Sequence, residues 1–155
     1  MLSKEEFIEE ALKYINFPAT TYTNPNKGCK PSGFDCSGFI YFVLQQSKYP
    51  EYIPRHANEL FDSFGILIHE KFADIGDLVF FSDKKGIYPS HVGILTSPNN
   101  YIHSPGINGK HVKISRLRKK RIRDSGDRKQ IYEYRLIGIK RITIKRERYN
   151  IPFLQ

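Results

Sequence analysis

Cys36, His91 and His103 are the residues of this chain whose types and settings suit covalent chemistry. Cys36 lies in Gly33-Phe34-Asp35-Cys36-Ser37-Gly38, and the apolar run Phe39-Ile40-Tyr41-Phe42-Val43-Leu44 follows at once. A loop containing Pro31 and Gly33 leads into this run, which continues through Gln45, Gln46 and Ser47. The pattern predicts a buried helix with Cys36 in its first turn and Asp35 at the N-cap. Unpaired N–H groups and the positive end of the helix dipole favour an anion there. Thiolate is the form in which cysteine is a nucleophile. A buried structural cysteine is the alternative. His91 opens the run Val92-Gly93-Ile94-Leu95 and His103 closes Tyr101-Ile102, so both read as strand ends. A Cys–His pair needs the base within hydrogen-bond reach and a polar third group to orient it. A helix-borne cysteine facing two neighbouring strands would meet both needs, with the members brought together only by the fold.

Other titratable residues carry weaker signals. A zinc site built from Cys36, His91 and His103 would need a fourth ligand or water, and the chain has no C-x-x-C or H-x-x-x-H spacing. No metal or organic cofactor is therefore expected. Cys29 is a loop thiol without a predicted activator. A disulfide between Cys29 and Cys36 would close a small loop and remove the nucleophile, so both are expected as free thiols. Asp77 reads as support for the turn into the strand Leu78–Phe81. His56, His69 and His111 have no partner motif.

The elements that must position these residues can be read along the chain. Ser3-Lys4-Glu5-Glu6 is a capping box, with Leu2 and Phe7 as a hydrophobic staple. Phe7, Ile8, Ala11, Leu12 and Ile15 recur at helical spacing, predicting a helix to about Asn16. Residues 17–34 read as a long loop, and a short helix is expected around Asn58–Phe64. From Leu78 onward strands alternate with turns: Leu78–Phe81, Val92–Thr96, Tyr101–His103, His111–Ser115 and a pair of runs within Ile131–Ile144. Pro98-Asn99-Asn100 and Asn108-Gly109 are turn signals. The order predicts an α+β domain with its helices first and an antiparallel sheet after them.

A chain of 155 residues fits one domain, 1–155, able to bury a core without staples. The 39% hydrophobic content, with 11 Phe and 10 Tyr, argues against disorder. No apolar stretch approaches a membrane span. Met1-Leu2-Ser3-Lys4-Glu5-Glu6 is unlike a secretory signal, which points to a cytoplasmic protein, export by a signal-free route, or a sequence lacking its leader. The net charge is +9, and it is unevenly placed. Residues 116–148 hold 14 basic and 4 acidic residues, whereas the remainder is close to balance. The basic segment at about 116–129 peaks at Arg116-Leu117-Arg118-Lys119-Lys120-Arg121-Ile122-Arg123. It suits an anionic wall polymer, a membrane surface or nucleic acid, or is simply solvated. No aromatic residue interrupts that run, so a stacking platform for nucleic acid is not indicated.

Five segments together carry a resemblance: Asp35-Cys36-Ser37-Gly38, Ile53-Pro54-Arg55, Gly76-Asp77-Leu78-Val79-Phe80-Phe81, His91-Val92-Gly93-Ile94 and Tyr101-Ile102-His103. In order and spacing they resemble the successive blocks of the NlpC/P60 family, papain-like cysteine peptidases acting on bacterial cell-wall peptides. Gly138-Ile139-Lys140-Arg141-Ile142 is similar to the closing strand of such domains. The resemblance covers roughly residues 1–145. It implies a papain-like fold and a cysteine endopeptidase cleaving an amide in peptidoglycan stem peptides, at the γ-D-glutamyl–diamino acid bond. Cys36 would be the nucleophile, His91 the base and His103 its orienting partner. Asp35, Ser37 and Tyr22 would hold the free amine of the stem, and Arg55 matches the family's basic residue. For Asp35 a capping role, and for Arg55 a structural ion pair, are the alternatives. The family's upstream segment runs Tyr, an aromatic and two glycines, and this chain departs from it with Tyr22-Thr23-Asn24-Pro25-Asn26. The same triad also suits an amidase, deamidase or acyltransferase on a non-wall substrate. A non-catalytic module gripping a polyanion through the basic segment is a further alternative.

Overall fold

In the computed structural model, residues 3–82, 88–118, 120–124, 131–146 and 149–152 are described, with 120–124, 131–134 and 146 described by their backbone. Helix α1 (Lys4–Leu12) opens with Ser3 as the expected N-cap: its Oγ accepts from the Glu6 N–H at 3.1 Å, and its hydroxyl donates to Glu6 Oε1 at 3.1 Å, while Leu2 of the expected staple lies outside the described residues. Phe7, Ile8 and Ala11 are its buried face. It stops short of Asn16, which sits in the left-handed region at φ 72° and donates its N–H to Val112 O at 2.9 Å. A tertiary hydrogen bond thus replaces the next helical one.

The expected loop 17–34 contains a small hairpin, β1 (Cys29–Lys30) and β2 (Gly33–Phe34). Two-residue strands carry no periodicity, which is why the sequence conceals them. Helix α2 (Cys36–Gln46) follows at once and buries Phe39, Ile40, Val43 and Leu44. Helix α3 (Ala57–Ser63) lies one residue from its expected place. Strand β3 (Ile66–Ile68) and a 3-10 turn at Glu70–Phe72 come next, neither of them expected.

The remaining strands are β4 (Leu78–Ser82), β5 (Pro89–Ser97), β6 (Asn100–His103), β7 (Lys113–Arg116), β8 (Lys120–Asp124), β9 (Ile131–Arg141), β10 (Thr143–Arg146) and β11 (Tyr149–Pro152). The main sheet is antiparallel in the order β3-β9-β4-β5-β6-β7, and β8 pairs with β9 off that path. Strands β10 and β11 form a separate hairpin. His111 bridges Pro18 rather than joining β7, which runs one residue beyond Ser115.

Part of the basic segment is therefore strand. Arg116 ends β7 and β8 pairs with β9 in a register that sets Arg121 opposite Tyr134 and Arg123 opposite Tyr132. This interleaving exists only across strands, and the linear run could not show it. Lys119 and residues 125–129 of that segment lie outside the described residues.

The sheet is covered on both faces, so β4 is buried at all five positions. Leu78, Phe80, Val92, Ile94 and Ile102 pack with Phe7, Ile40, Val43 and Leu44 of the helices. The alternate residues Val79, Phe81, Leu95 and Tyr101 form a second cluster with Ile139. That double burial explains why Leu78-Val79-Phe80-Phe81 is continuously apolar rather than alternating. Each such fully buried side chain contributes roughly 1.5–3 kcal/mol. As expected, Asp77 shapes the entry to β4: its Oδ2 accepts the Asp74 N–H at 2.9 Å, and its carbonyl accepts the Leu95 N–H at 2.8 Å. Both of its oxygens also hold Arg141, at 2.9 Å each. No helix among the described residues is long and apolar enough to cross a membrane.

Candidate active site

Cys36 is the first residue of α2, where the sequence predicts it. Its Sγ lies 3.7 Å from the carbonyl oxygen of Ser90, the residue before His91 on β5. The helix start and the strand end therefore meet at the thiol. His91 and His103 are each only 4% exposed. His91 Nε2 and His103 Nδ1 share a hydrogen bond of 2.7 Å, with the rings nearly perpendicular at 83°. The two histidines lie on the sheet face of the second cluster, His91 tilted against Phe81 at 6.0 Å and His103 against Tyr101 at 4.6 Å.

Gly93, two residues after His91 on the same face, makes this approach possible. A Cβ there would stand 2.5 Å from Tyr101 Cδ2 and 3.2 Å from His103 Cβ. The loop after His103 ties back to the cysteine. Buried Ser104 donates its hydroxyl to Phe34 O at 2.6 Å, two residues ahead of Cys36. A Cβ on Gly106 would reach within 3.6 Å of the Cys36 nitrogen, so this loop borders the first amides of α2. Those amides are donors without helical acceptors of their own.

Asp35 caps α2 by accepting the Gly38 N–H at 2.7 Å, and it also makes a bidentate ion pair with Arg55. It is 2% exposed. Gly28 presses on it so closely that a Cβ there would meet Oδ2 at 2.1 Å. Arg55 Nη1 also donates to Ser37 Oγ at 3.0 Å, while Nε and Nη2 donate to Pro25 O and Lys27 O at 2.9 and 2.7 Å. Burial works against the guanidinium charge, but the hydrogen bonds and charge of Asp35 outweigh it, so the Arg55 pKa stands above the ordinary arginine value. Tyr22 is 45% exposed, with its ring 5.7 Å from Arg55 Cζ and its hydroxyl 3.0 Å from His56 Nε2. Tyr22, Asp35 and Ser37, expected at the substrate's amine end, and Arg55, the matched basic residue, are thus one cluster with Arg55 at its centre. The cap and the ion pair, the structural alternatives for Asp35 and Arg55, are both present.

Sequence reasoning missed Ser115. Its Oγ lies 2.8 Å from His103 Nε2. It stands on β7 opposite Tyr101, diagonal to His103, and only strand register makes it a neighbour. His56, without a motif in the sequence, has a partner in Tyr22. Cys29 and Cys36 are both free thiols.

Helices ahead of an antiparallel sheet, with a cysteine at a helix start beside the strand whose histidine bonds a second histidine, define the papain-like class of fold. The NlpC/P60 family model matches residues 25–127, and the chain belongs to that family. It is 36% identical over 100 residues to the gamma-DL-glutamyl hydrolase of Bacillus subtilis, covering 63% of this chain and 22% of that protein. It is 32% identical over 116 residues to the gamma-D-glutamyl-L-lysine dipeptidyl-peptidase of the same organism, covering 74% of this chain and 34% of that one. The chain therefore spans about a fifth to a third of the length of these relatives. Among solved structures it resembles an NLP/P60 family protein from Staphylococcus aureus, with a TM-score of 0.64 and 30% identity over 90% of this chain and 41% of that one.

Proposed function

We propose that this chain is a cysteine endopeptidase that hydrolyses the γ-D-glutamyl–diamino acid amide of peptidoglycan stem peptides. The observation that carries the reading is the 2.7 Å bond from His91 Nε2 to His103, beside a cysteine at a helix N-terminus. With Nε2 so engaged, Nδ1 is the His91 nitrogen that exchanges a proton with Cys36. The thiol proton passes to His91 as Sγ bonds the scissile carbonyl carbon. The Cys36 N–H, at the head of α2, steadies the oxyanion. The C–N bond then breaks, His91 returns the proton to the leaving amine, and a thioester remains. Water activated by His91 adds to the thioester, releasing the acid and the Cys36 thiol. His103 keeps His91 oriented throughout.

The γ-linkage is supported by the names of the two Bacillus subtilis relatives, both of which refer to glutamyl bonds. Tyr22, Asp35 and Ser37 receive the free amine of the stem, and Arg55 fixes Asp35 and Ser37 from behind. Because Asp35 already shares its charge with Arg55, the exposed Tyr22 hydroxyl makes the direct contact and Asp35 acts through its field.

The test is incubation with defined stem peptides and a γ-linked glutamate polymer, read by mass spectrometry. Cleavage between D-glutamate and the diamino acid is expected, and N-acetylation of the stem should lower kcat/KM by about tenfold or more. Cleavage of the polymer alone would replace the wall substrate with a free γ-glutamyl one. Equal turnover of blocked and free peptides would remove the amine-binding role.

A further inference from the structure

We propose that Ser115 is a positioning residue of the hydrolytic centre, the terminal acceptor of a hydrogen-bonded string running Cys36–His91–His103–Ser115. This rests on the reading of Cys36 as nucleophile and His91 as base. Each link in such a string holds one proton, so the links must all point the same way. For His91 to take the thiol proton at Nδ1, its other nitrogen must carry hydrogen and donate to His103 Nδ1, across the observed 2.7 Å. His103 then carries its hydrogen on Nε2, and Ser115 Oγ at 2.8 Å is the acceptor for it.

His103 is 4% exposed, so in a variant without the Ser115 hydroxyl a nearly buried Nε2–H would lose the acceptor it has at 2.8 Å. The ring escapes that penalty by moving its proton to Nδ1. That tautomer donates toward His91, reverses the string, and leaves hydrogen on the very His91 nitrogen that must be empty. Ser115 therefore acts on the thiol through two rings. The fold holds it there by register: Ser115 pairs with Tyr101 and Lys113 pairs with His103. Among the described residues, the titratable side chains facing His103 include His91 on β5, Tyr101 on its own strand and the exposed Lys113 paired with it on β7.

The experiment uses the intact chain carrying Cys29→Ala, so that thiol labelling reports Cys36 alone. Alkylation by iodoacetamide is followed against pH, and 15N-histidine spectra report the tautomer of each ring. Ser115→Ala should slow alkylation at mildly acidic pH by about three- to tenfold, the effect of one lost hydrogen bond, and shift the profile upward. It should also convert His103 from the Nε2–H form toward the Nδ1–H form. Ser115→Thr, which keeps the hydroxyl, should restore both. An unchanged pH profile in Ser115→Ala, or a Thr variant as impaired as the Ala one, would overturn the proposal. If Cys36 of the parent reacts like an ordinary thiol, the nucleophile reading fails. The His103 spectrum still decides for or against Ser115 in that case. Should Ser115→Ala not fold, a parent spectrum dominated by the Nδ1–H form of His103 would refute the string.

Discussion

Arg55 holds Asp35 at both ends, Nη1 to Oδ1 at 3.2 Å and Nη2 to Oδ2 at 2.7 Å, one residue ahead of Cys36. Removing the guanidinium would strand a carboxylate that is 2% exposed. Arg55→Ala should therefore lose about 3–5 kcal/mol of stability in urea unfolding, typical of one partner removed from a buried pair. Arg55→Lys should recover only part of it, since an ammonium cannot reproduce the fork. A loss below about 0.5 kcal/mol for Arg55→Ala would show that the pair is not a structural keystone.

Gly93→Ala places a methyl 2.5 Å from the fully buried Tyr101 ring and 3.0 Å from Ile102 O. Tyr101 must shift, and His103 with it. Stability should fall by about 1–3 kcal/mol. Turnover should fall further, by about a hundredfold, because the His91–His103 bond is misplaced. Full activity in a folded Gly93→Ala protein would show that His103 tolerates displacement.

The two thiols should behave differently. Cys36→Ala should abolish peptide cleavage without changing the melting temperature by more than a few degrees, and Cys29→Ala should retain activity. Mass spectrometry after brief alkylation at mildly acidic pH should find Cys36 labelled before Cys29. Equal labelling would contradict activation at the helix start.

Tyr49 donates its hydroxyl to Thr143 O at 2.6 Å, anchoring β10. Burial, with help from Glu51, raises its pKa from 10.0 to about 12. The folded state thus favours the neutral phenol. The stability this provides is complete below about pH 10 and is lost as pH rises through the folded value of about 12. Tyr49→Phe should cost about 1 kcal/mol at neutral pH and make the alkaline decline shallower. Identical alkaline unfolding curves would assign that decline to other groups.

Neutralising Arg118, Lys119, Lys120 and Arg121 tests the basic segment as a tether. Binding to sacculi should weaken, and its dependence on salt should flatten. Cleavage of a small stem peptide should stay within twofold. Loss of the peptide reaction itself would place the segment in the active site or the core.

Much of the site was legible because its signals are local. A helix start is marked by its cap and the run behind it, so Asp35, Cys36 and α2 could be located within a dozen residues. His91 and His103 stood out because each borders an apolar run whose pattern it breaks, although His91 is the third residue of β5 rather than its end. The hairpin Cys29–Phe34, the strand β3 and the placement of β8 were not legible. Short or polar strands have no periodicity, and a partner elsewhere in the chain defines them.

By itself, then, the sequence determined the kinds of groups available, the order of helices before strands, and the helix head that carries the thiol. These depend on capping, periodicity and burial within a few turns of chain. The tertiary structure alone decided that His91 bonds His103 through Nε2, that Ser115 stands behind His103, and that Arg55 closes over Asp35 from 20 residues away. Each of those contacts joins residues whose separation along the chain carries no information about their distance in space. They exist because antiparallel register and the packing of α2 against β5 bring specific atoms within 3 Å or so, a geometry no linear pattern encodes.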